Sequence, residues 1–498
     1  MSTPSPRPEW PTGAARSASV HEALRLAERP LVLLPQLEPE YAAPEVVDDV
    51  LENRFEFCGE RHDLGERIRW LENPSRDIEW HILLHKFYYA VALAERFRAT
   101  GDERLVVRFA ELVTSWIEQT PPNFIAADVT ARRLQNWIYA WYVLRGAGAR
   151  FAPAFEIELK ASVARQTECL IDQMAPARNH RTLELYAVFL VALAFPEIAT
   201  AGAWLKFAVA EMTANIRTDL LEDGVQCELS TDYHHIVLRN HLLFYRLCAL
   251  NGIELADDVP VRLCRALDFA MHVHRPDGVI PALSDSDSRS HRDLLAFGAD
   301  WFGREDYRFV ATSGARGQPP QQCDASFAAS GYHVQRSAWT EQPFAAARYL
   351  VFDCGPIGAG NHGHIDALSI ELAAYGRPLV VDPGRFTYHE GGERNWRARF
   401  RGTAVHNTVT VDGRDQAIYR ARTPGGRLKI LAPHPQARLV ASGRSGPIRF
   451  LRGALRSPSY DTVHSRHILF VRELYWLVID VLQGDVPREC CLNFQLTP

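Results

Sequence analysis

The sequence predicts an α+β multidomain protein, with a helical N-terminal region followed by a C-terminal antiparallel β-sandwich. Apolar residues recur at helical spacing from about residue 77 to about residue 310. The stretch Thr312-Ser313-Gly314-Ala315-Arg316-Gly317-Gln318-Pro319-Pro320 then interrupts the pattern with glycine and proline, as a linker does. Beyond it come many short β-rich runs separated by Gly/Pro turns.

At 498 residues the chain exceeds what one core holds, so two or three domains are expected. Apolar content of 47% and charged content of 23% are those of a folded chain rather than a disordered one. A net charge of −5 argues against a general nucleic-acid binder, though it leaves room for a local basic groove. Nine scattered cysteines form no CxxC pair and read as mostly reduced core residues, not as a disulfide framework. No run approaches a membrane span, and the first thirty residues carry no apolar signal-peptide core. The chain as given therefore reads as cytoplasmic, or as periplasmic or secreted where a targeting segment has been removed.

Taken in order, residues 1–40 are Pro- and Ser-rich and predict a flexible lead-in, and Phe55–Gly65 predicts a short extended segment. A helix is expected from Trp80 to Arg98, where Thr100-Gly101-Asp102 stops it. Others follow at 103–118, 131–145, 153–174, 181–194, 201–221, 234–251, 258–274 and 291–302. Short connectors and the absence of strands between them fit a bundle, a solenoid or a toroid of paired helices. Strands are expected at Tyr332–Arg336, Ala347–Asp353, Leu368–Ala374, Leu379–Asp382, Thr408–Val411, Leu428–Leu431, Leu439–Ala441, Ile468–Val471 and Tyr475–Leu482. The chain stops soon after the last of these, so a truncated β-domain is one expectation.

Three constellations could carry chemistry. In Ala177-Arg178-Asn179-His180-Arg181-Thr182-Leu183-Glu184, Asn179 can orient or cap a helix, and His180 and Glu184 lie one turn apart. A capped helix with a surface His–Glu pair accounts for that pattern equally well. The second, Asp223 to His235, is a polar loop between apolar helices. Its Tyr233 could shuttle protons if a neighbouring cation lowered its pKa from about 10; an ordinary capped turn is the plainer account. The third is Gly358-Ala359-Gly360-Asn361-His362-Gly363-His364-Ile365-Asp366, followed by Asp382-Pro383-Gly384 and His406-Asn407-Thr408. His364, Asp382 and His406 form a donor set that zinc accepts, although their spacing is irregular. A fourth stretch, Ile280–Ser288 with its Ser284-Asp285-Ser286-Asp287-Ser288 run, reads either as a site rim or as a plain turn.

Together these motifs resemble the heparinase II/III family of polysaccharide lyases. The order is Asn-His opening a helix, Glu-x-Ser-x-x-Tyr-His, His-x-His-x-Asp-Ala-x-Ser, Asp-Pro-Gly, then His-Asn-Thr-Val. Trp80 with its helix, Trp116-Ile117 and Arg133-Leu134-Gln135-Asn136-Trp137 extend the likeness over nearly the whole chain from about residue 55. The resemblance implies an incomplete (α/α) toroid over 41–312, a linker over 313–328 and a β-sandwich over 329–498, with the site in the cleft between them. It implies β-elimination at a uronic acid of an acidic polysaccharide: heparin-like, alginate-like or capsular. By the same resemblance Asn179, His180, Tyr233 and His362 are catalytic, and His364, Asp382 and His406 hold a structural zinc. Glu184 and Glu228 are supporting residues near the substrate; Arg133, Arg239 and Arg399 are expected sugar contacts on chemical grounds. Two alternatives stand beside this. One is a glycoside hydrolase using two carboxylates from Asp285, Asp287, Glu228 and Asp232; the other is a non-catalytic protein that binds acidic glycans.

Overall fold

Two kinds of helix alternate along the first half of the chain. Tyr88–Thr100, Ala127–Gly146 and Arg178–Ala194 bury residues on most of their circumference, the last without a break from Glu184 to Ala194. Glu103–Gln119, between the first two of these, is amphipathic, burying Leu105, Val106, Phe109, Leu112, Val113 and Trp116 along one stripe. Pro153–Gln173 falls between the second and third, and its mixed faces also leave exposed positions. Each enclosed helix packs on the next of its kind, and the intervening helices pack against them. An inner and an outer layer of helix hairpins is the construction of an (α/α) toroid.

These helices belong to one of the two compact units into which the computed structural model divides. The structure describes residues 31–390, 393–421 and 427–497, so residues 1–30 of the expected lead-in lie outside the described residues. The first unit holds the described chain up to Asn215 and Leu243–Leu255; the second holds Ile216–Leu242 and the chain from Ala256 onward.

The helix expected from Trp80 to Arg98 is two helices, Ile78–Lys86 and Tyr88–Thr100, broken at Phe87 with φ +58°. The break frees carbonyls in the interior, and neighbouring side chains satisfy them. Asn136 Nδ2 donates to Lys86 O at 2.7 Å, Arg133 to His85 O at 3.4 Å and Tyr89 Oη to Leu84 O at 2.9 Å. The expected extended segment at Phe55–Gly65 is a hairpin of β1 (Arg54–Phe57) and β2 (Glu60–Asp63).

In the second unit, helices Asp258–Val273, Arg292–Phe302 and Glu305–Ala311 pack together. The Gly/Pro stretch after them is no loose tether: Gln318 N donates to Glu305 O at 3.1 Å, and a Cβ at Gly317 would meet that same carbonyl at 2.2 Å. A five-stranded antiparallel sheet follows. Its order is β3 (Ala325–Phe327), β4 (Tyr332–Arg336), β5 (Tyr349–Asp353), β6 (Ile370–Ala374) and β7 (Arg377–Val380). Later come β8 (Val409–Val411), paired with β15 (Cys490–Leu492), and the hairpin of β9 (Ile418–Ala421) and β10 (Leu428–Leu431). A second antiparallel sheet runs β11 (Gln436–Ser445), β12 (Ile448–Arg456), β13 (Val463–Val471) and β14 (Tyr475–Gln483).

The two larger sheets share a core of Leu350, Phe352, Leu368, Ile370, Leu451, Leu455 and Ile468, which makes them a β-sandwich. The opposite face of the five-stranded sheet packs Tyr332, Val334, Tyr349 and Val351 on Phe269, Val273, Ile280 and Leu283. Covered on both faces, β4 and β5 are buried at every position and lose alternation, whereas β12 and β13 keep it. All nine cysteines are free thiols, but only Cys248 and Cys354 are buried, so the expected core role holds for those two.

Candidate active site

The Gly358–Asp366 loop joins β5 to β6 and is pinned by three other segments of the second unit. Gly358 lies so close to the chain at Glu228 that a Cβ would stand 1.9 Å from its carbonyl oxygen; no other residue fits. Ala359 N donates to Cys227 O at 2.8 Å, Asp285 N to His362 O at 3.0 Å, and Ile365 N to Arg401 O at 3.0 Å. The Arg401 guanidinium returns two hydrogen bonds to Gly363 O, at 2.6 and 3.2 Å.

Asp285 is the hub. Its carboxylate, 1% exposed, takes His362 Nδ1 at 2.9 Å, His364 Nε2 at 2.8 Å and both terminal nitrogens of buried Arg397. Burial alone would raise this carboxyl; the hydrogen bonds from His362, His364 and Arg397 outweigh it and hold it far below the ordinary range. The other ring nitrogen of His362, Nε2, faces Glu228 Oε2 at 3.3 Å. The neighbouring Ser286 ties this loop to the helix Thr231–Leu250: its Oγ accepts from Asp232 N at 3.0 Å and meets Ser230 Oγ at 2.8 Å.

Tyr233 stands in the first turn of that helix rather than in the loop before it. Its ring lies over His362 with centroids 4.0 Å apart, and its hydroxyl meets that of Tyr388 at 2.8 Å. Arg385 and Arg397 stack on the Tyr388 ring at 4.7 and 5.0 Å. Burial outweighs the downward pull of a neighbouring cation, Arg385, on the Tyr233 phenol, so the condition for a lowered phenol is not met. Loss of water pushes it well above 10.0, the hydrogen bond with Tyr388 offsets only part of that, and the charges of Asp285 and Glu228 add to the rise. The phenol is a proton donor at neutral pH.

His364, Asp382 and His406 offer ligand atoms within 4.8 Å of one another, all buried. Among the described residues His364 Nδ1 and His406 Nε2 are enclosed without a hydrogen-bond partner, while their other nitrogens are taken by Asp285 and, at 2.7 Å, by Asp382. Two orphaned imidazole nitrogens beside a carboxylate fit a divalent cation, zinc above all. Burial works against a charge on His406, yet Asp382 and Asp366 outweigh it and hold the ring at about 9.

The first-unit candidates divide. The helix begins at Arg178 with Ala177 as its N-cap and no side-chain cap, so Asn179 sits inside the first turn and does not cap it. Arg178 itself has φ +71°, a conformation rare for its type. His180 is exposed, and its Nδ1 lies 3.7 Å from Asp128. Glu184 makes no surface pair with His180: it is 1% exposed and accepts from Ala175 N at 2.6 Å. Arg133, fully buried over Trp116 and bonded to Gln166 at 2.8 Å, cannot reach a sugar; its task is the broken helix.

In the second unit Glu228, 1% exposed, supports His362 from within and is closed to substrate. Arg239 is engaged with Asp293 at 2.5 Å, so its charge is already answered; Arg399 is exposed.

Burial raises Glu184 from 4.5 to about 7. A carboxyl raised on folding adds stability below about pH 4.5 and loses it as pH climbs through about 7. Glu184→Gln, which keeps the acceptor for Ala175, is therefore expected to melt higher than the parent at pH 8, by a margin on the order of 3 kcal/mol. The gap should close near pH 4.5; melts at the two pH values check it, and a gap of equal size at both would refute it.

Arg397, Arg385 and Tyr388 lie outside the motifs, and Arg401 stands in the stretch leading to His406 without a role of its own. A signal existed: Arg397 and Arg401 are spaced one helical turn apart in Trp396-Arg397-Ala398-Arg399-Phe400-Arg401, and both face inward in the helix Trp396–Arg401. The carboxylates suggested for a hydrolase are all engaged. Asp285 serves the histidines, Asp232 pairs with His291 and Arg289 and is lowered, and Asp287 pairs with Arg385 at 2.7 Å. A glycosidase acid needs a raised carboxyl, and neither Asp285 nor Asp232 is one.

Residues 33–303 match the family model for the heparinase II/III N-terminus, and residues 319–498 that for the heparinase II/III-like C-terminal part. A heparin-sulfate lyase of Pedobacter heparinus is 25% identical over 459 residues, covering 87% of this chain and 65% of its own. A heparin-sulfate lyase of Bacteroides stercoris is 24% identical, covering 91% of this chain and 70% of its own. The chain thus spans slightly less than two thirds of the first of these relatives. Among solved structures, a heparinase III superposes with a TM-score of 0.79 at 20% identity, over 97% of this chain and 77% of that one. The heparan sulfate lyase of Pedobacter heparinus superposes at 0.65 and 23% identity, over 97% and 76%. These likenesses establish the toroid-plus-sandwich fold.

Proposed function

The chain belongs to the heparinase II/III family, and on that premise we propose that it cleaves a uronic-acid-containing acidic polysaccharide by β-elimination. The single observation that carries this is the Tyr233–His362 couple, a protonated phenol whose ring lies 4.0 Å from an imidazole oriented through Nδ1 by Asp285. Elimination removes the C5 proton of the uronate, breaks the C4–O bond and leaves a C4–C5 double bond. The carboxylate on C5 must be neutralised as the enolate-like state develops. Asn179 and His180 are the proposed groups for that task. His362 is the proposed base, through the Nε2 that Asp285 leaves as the acceptor by holding Nδ1–H and that has to turn from Glu228 to the substrate; Tyr233 is the proposed acid that protonates the departing glycosidic oxygen. Names of relatives make heparan-sulfate-type chains the first substrates to try, with alginate-like and capsular polymers beside them.

The test is a panel of acidic polysaccharides followed in the near ultraviolet. An unsaturated uronate absorbs there, and a hydrolytic product does not. Reducing ends without absorbing product would replace the lyase by a hydrolase; binding without either would leave a glycan-binding protein.

A zinc ion is proposed at His364, Asp382 and His406, where it would tie the Gly358–Asp366 loop, the turn after β7 and the His406 turn together. Its role is structural, and no proton step passes through it. His364→Ala is expected to lose bound zinc, read by elemental analysis, and to lower the melting temperature. His362→Ala should keep both and lose activity; the reverse pattern would overturn the division between the two histidines.

A further inference from the structure

We propose that Phe386, Trp396 and Phe400 form an aromatic shelf for a sugar ring of the acidic glycan outside the bond-cleaving unit, with Arg394 and Arg399 answering its anionic groups. The inference rests on the polysaccharide reading above and deepens it.

The short helix Trp396–Arg401 has two faces with opposite tasks. Arg397 and Arg401, 3% and 1% exposed, point inward, one to Asp285 and the other to Gly363 O. Trp396, Arg399 and Phe400 share the other face, at positions i, i+3 and i+4. There Trp396 is 39% exposed and Phe386, from the Asp382-Pro383-Gly384 turn, 62% exposed. The Phe386 and Phe400 rings stack at 4.6 Å and 9°, and Trp396 closes the group at 5.9 and 6.3 Å. The Arg394 guanidinium lies over Trp396 at 5.8 Å, and Arg399 is exposed.

Folding does not account for this arrangement. Among the described residues the three rings stand outside the core clusters around β4–β5, β12–β13 and β8, and Phe386 adopts φ +55°, a costly conformation for a bulky residue. An exposed aromatic group rimmed by arginine has the chemistry of a surface for pyranose C–H faces that carry carboxylate or sulfate. Its continuity with the site names the occupant. Phe386 directly follows Arg385 and precedes Tyr388 by two residues, and Trp396 is chain neighbour to Arg397. Arg385 and Arg397 stack on Tyr388, which is bonded to Tyr233.

The experiment uses the full chain carrying Tyr233→Phe to stop turnover, titrated calorimetrically with size-defined heparan sulfate and alginate hexasaccharides. Phe386→Ala and Trp396→Ala are each expected to weaken hexasaccharide binding about tenfold. Trp396→Phe should recover most of the loss, and Arg399→Gln should flatten the salt dependence. Binding that both alanine variants leave intact would overturn the shelf while leaving the lyase reading standing. A wild-type dimer that Trp396→Ala dissociates without loss of glycan affinity would reassign the rings to contact between copies. Failure of the Tyr233→Phe protein to bind either hexasaccharide would overturn the polysaccharide reading and the shelf with it.

Discussion

Tyr233→Phe is expected to lower kcat by roughly 10²–10⁴-fold, the usual worth of a positioned general acid. Phenylalanine keeps the ring in contact with His362 at 4.0 Å between centroids and removes only the hydroxyl, so the loss falls on proton delivery. KM should stay within about threefold, because a group that acts in the transition state adds little to ground-state binding. The melting temperature should move little, since the lost partner is the hydroxyl of Tyr388, a residue that is itself 38% exposed. Initial rates of ultraviolet-absorbing product decide it: activity within a few-fold of the parent would remove Tyr233 from the acid role.

Asp285→Asn should have the second large effect, and for a different reason. The carboxylate receives His362, His364 and both terminal nitrogens of Arg397, all donors. An amide of the same shape offers one oxygen and one NH₂ group, so one histidine meets a donor and has to turn over. Arg397, 3% exposed, is left with a buried charge that nothing answers. Removing one partner of a buried pair costs about 3–5 kcal/mol. The variant is expected to melt lower, hold less zinc and lose most of its turnover together, because one carboxylate orients both histidines. The sign with pH follows from its depressed pKa. The stability contributed by Asp285 is present above the ordinary aspartate range, so the gap to the parent should persist from pH 5 to 8 and shrink only in strong acid. A variant that keeps zinc, melting temperature and turnover would show that Asp285 orients neither ring.

Much of the site was legible because each motif residue sits where local chemistry forces a type. Gly358 had to be glycine against the Glu228 carbonyl, and Gly384, at φ +65° with Ser286 O 2.3 Å from any Cβ, had to be glycine too. His362 and His364 stand out on chemical grounds: two imidazoles separated by one glycine bring two rings able to carry a proton or hold a metal into one short turn. What failed was assignment by charge. Arg133 was expected at a sugar and caps broken-helix carbonyls; Glu184 was expected near substrate and accepts a backbone N–H. A charged side chain looks alike in sequence whether it faces water or a buried carbonyl. The broken helix at Phe87 was invisible for a related reason, since its cost is met by Asn136, fifty positions away.

By itself the sequence determined the family, the passage from a helical to a β-rich half, and the short list of Asn179, His180, Tyr233, His362, His364, Asp382 and His406, because periodicity and fixed local spacing are properties of neighbours in the chain; strands such as Ile418–Ala421 and Ile448–Arg456 escaped it. Only the tertiary structure decided that Asp285 joins His362 to His364, and that burial rather than a nearby cation sets the Tyr233 phenol. Hydrogen-bond partners some 77 and 79 positions apart and loss of water are consequences of packing, and no window of sequence contains them.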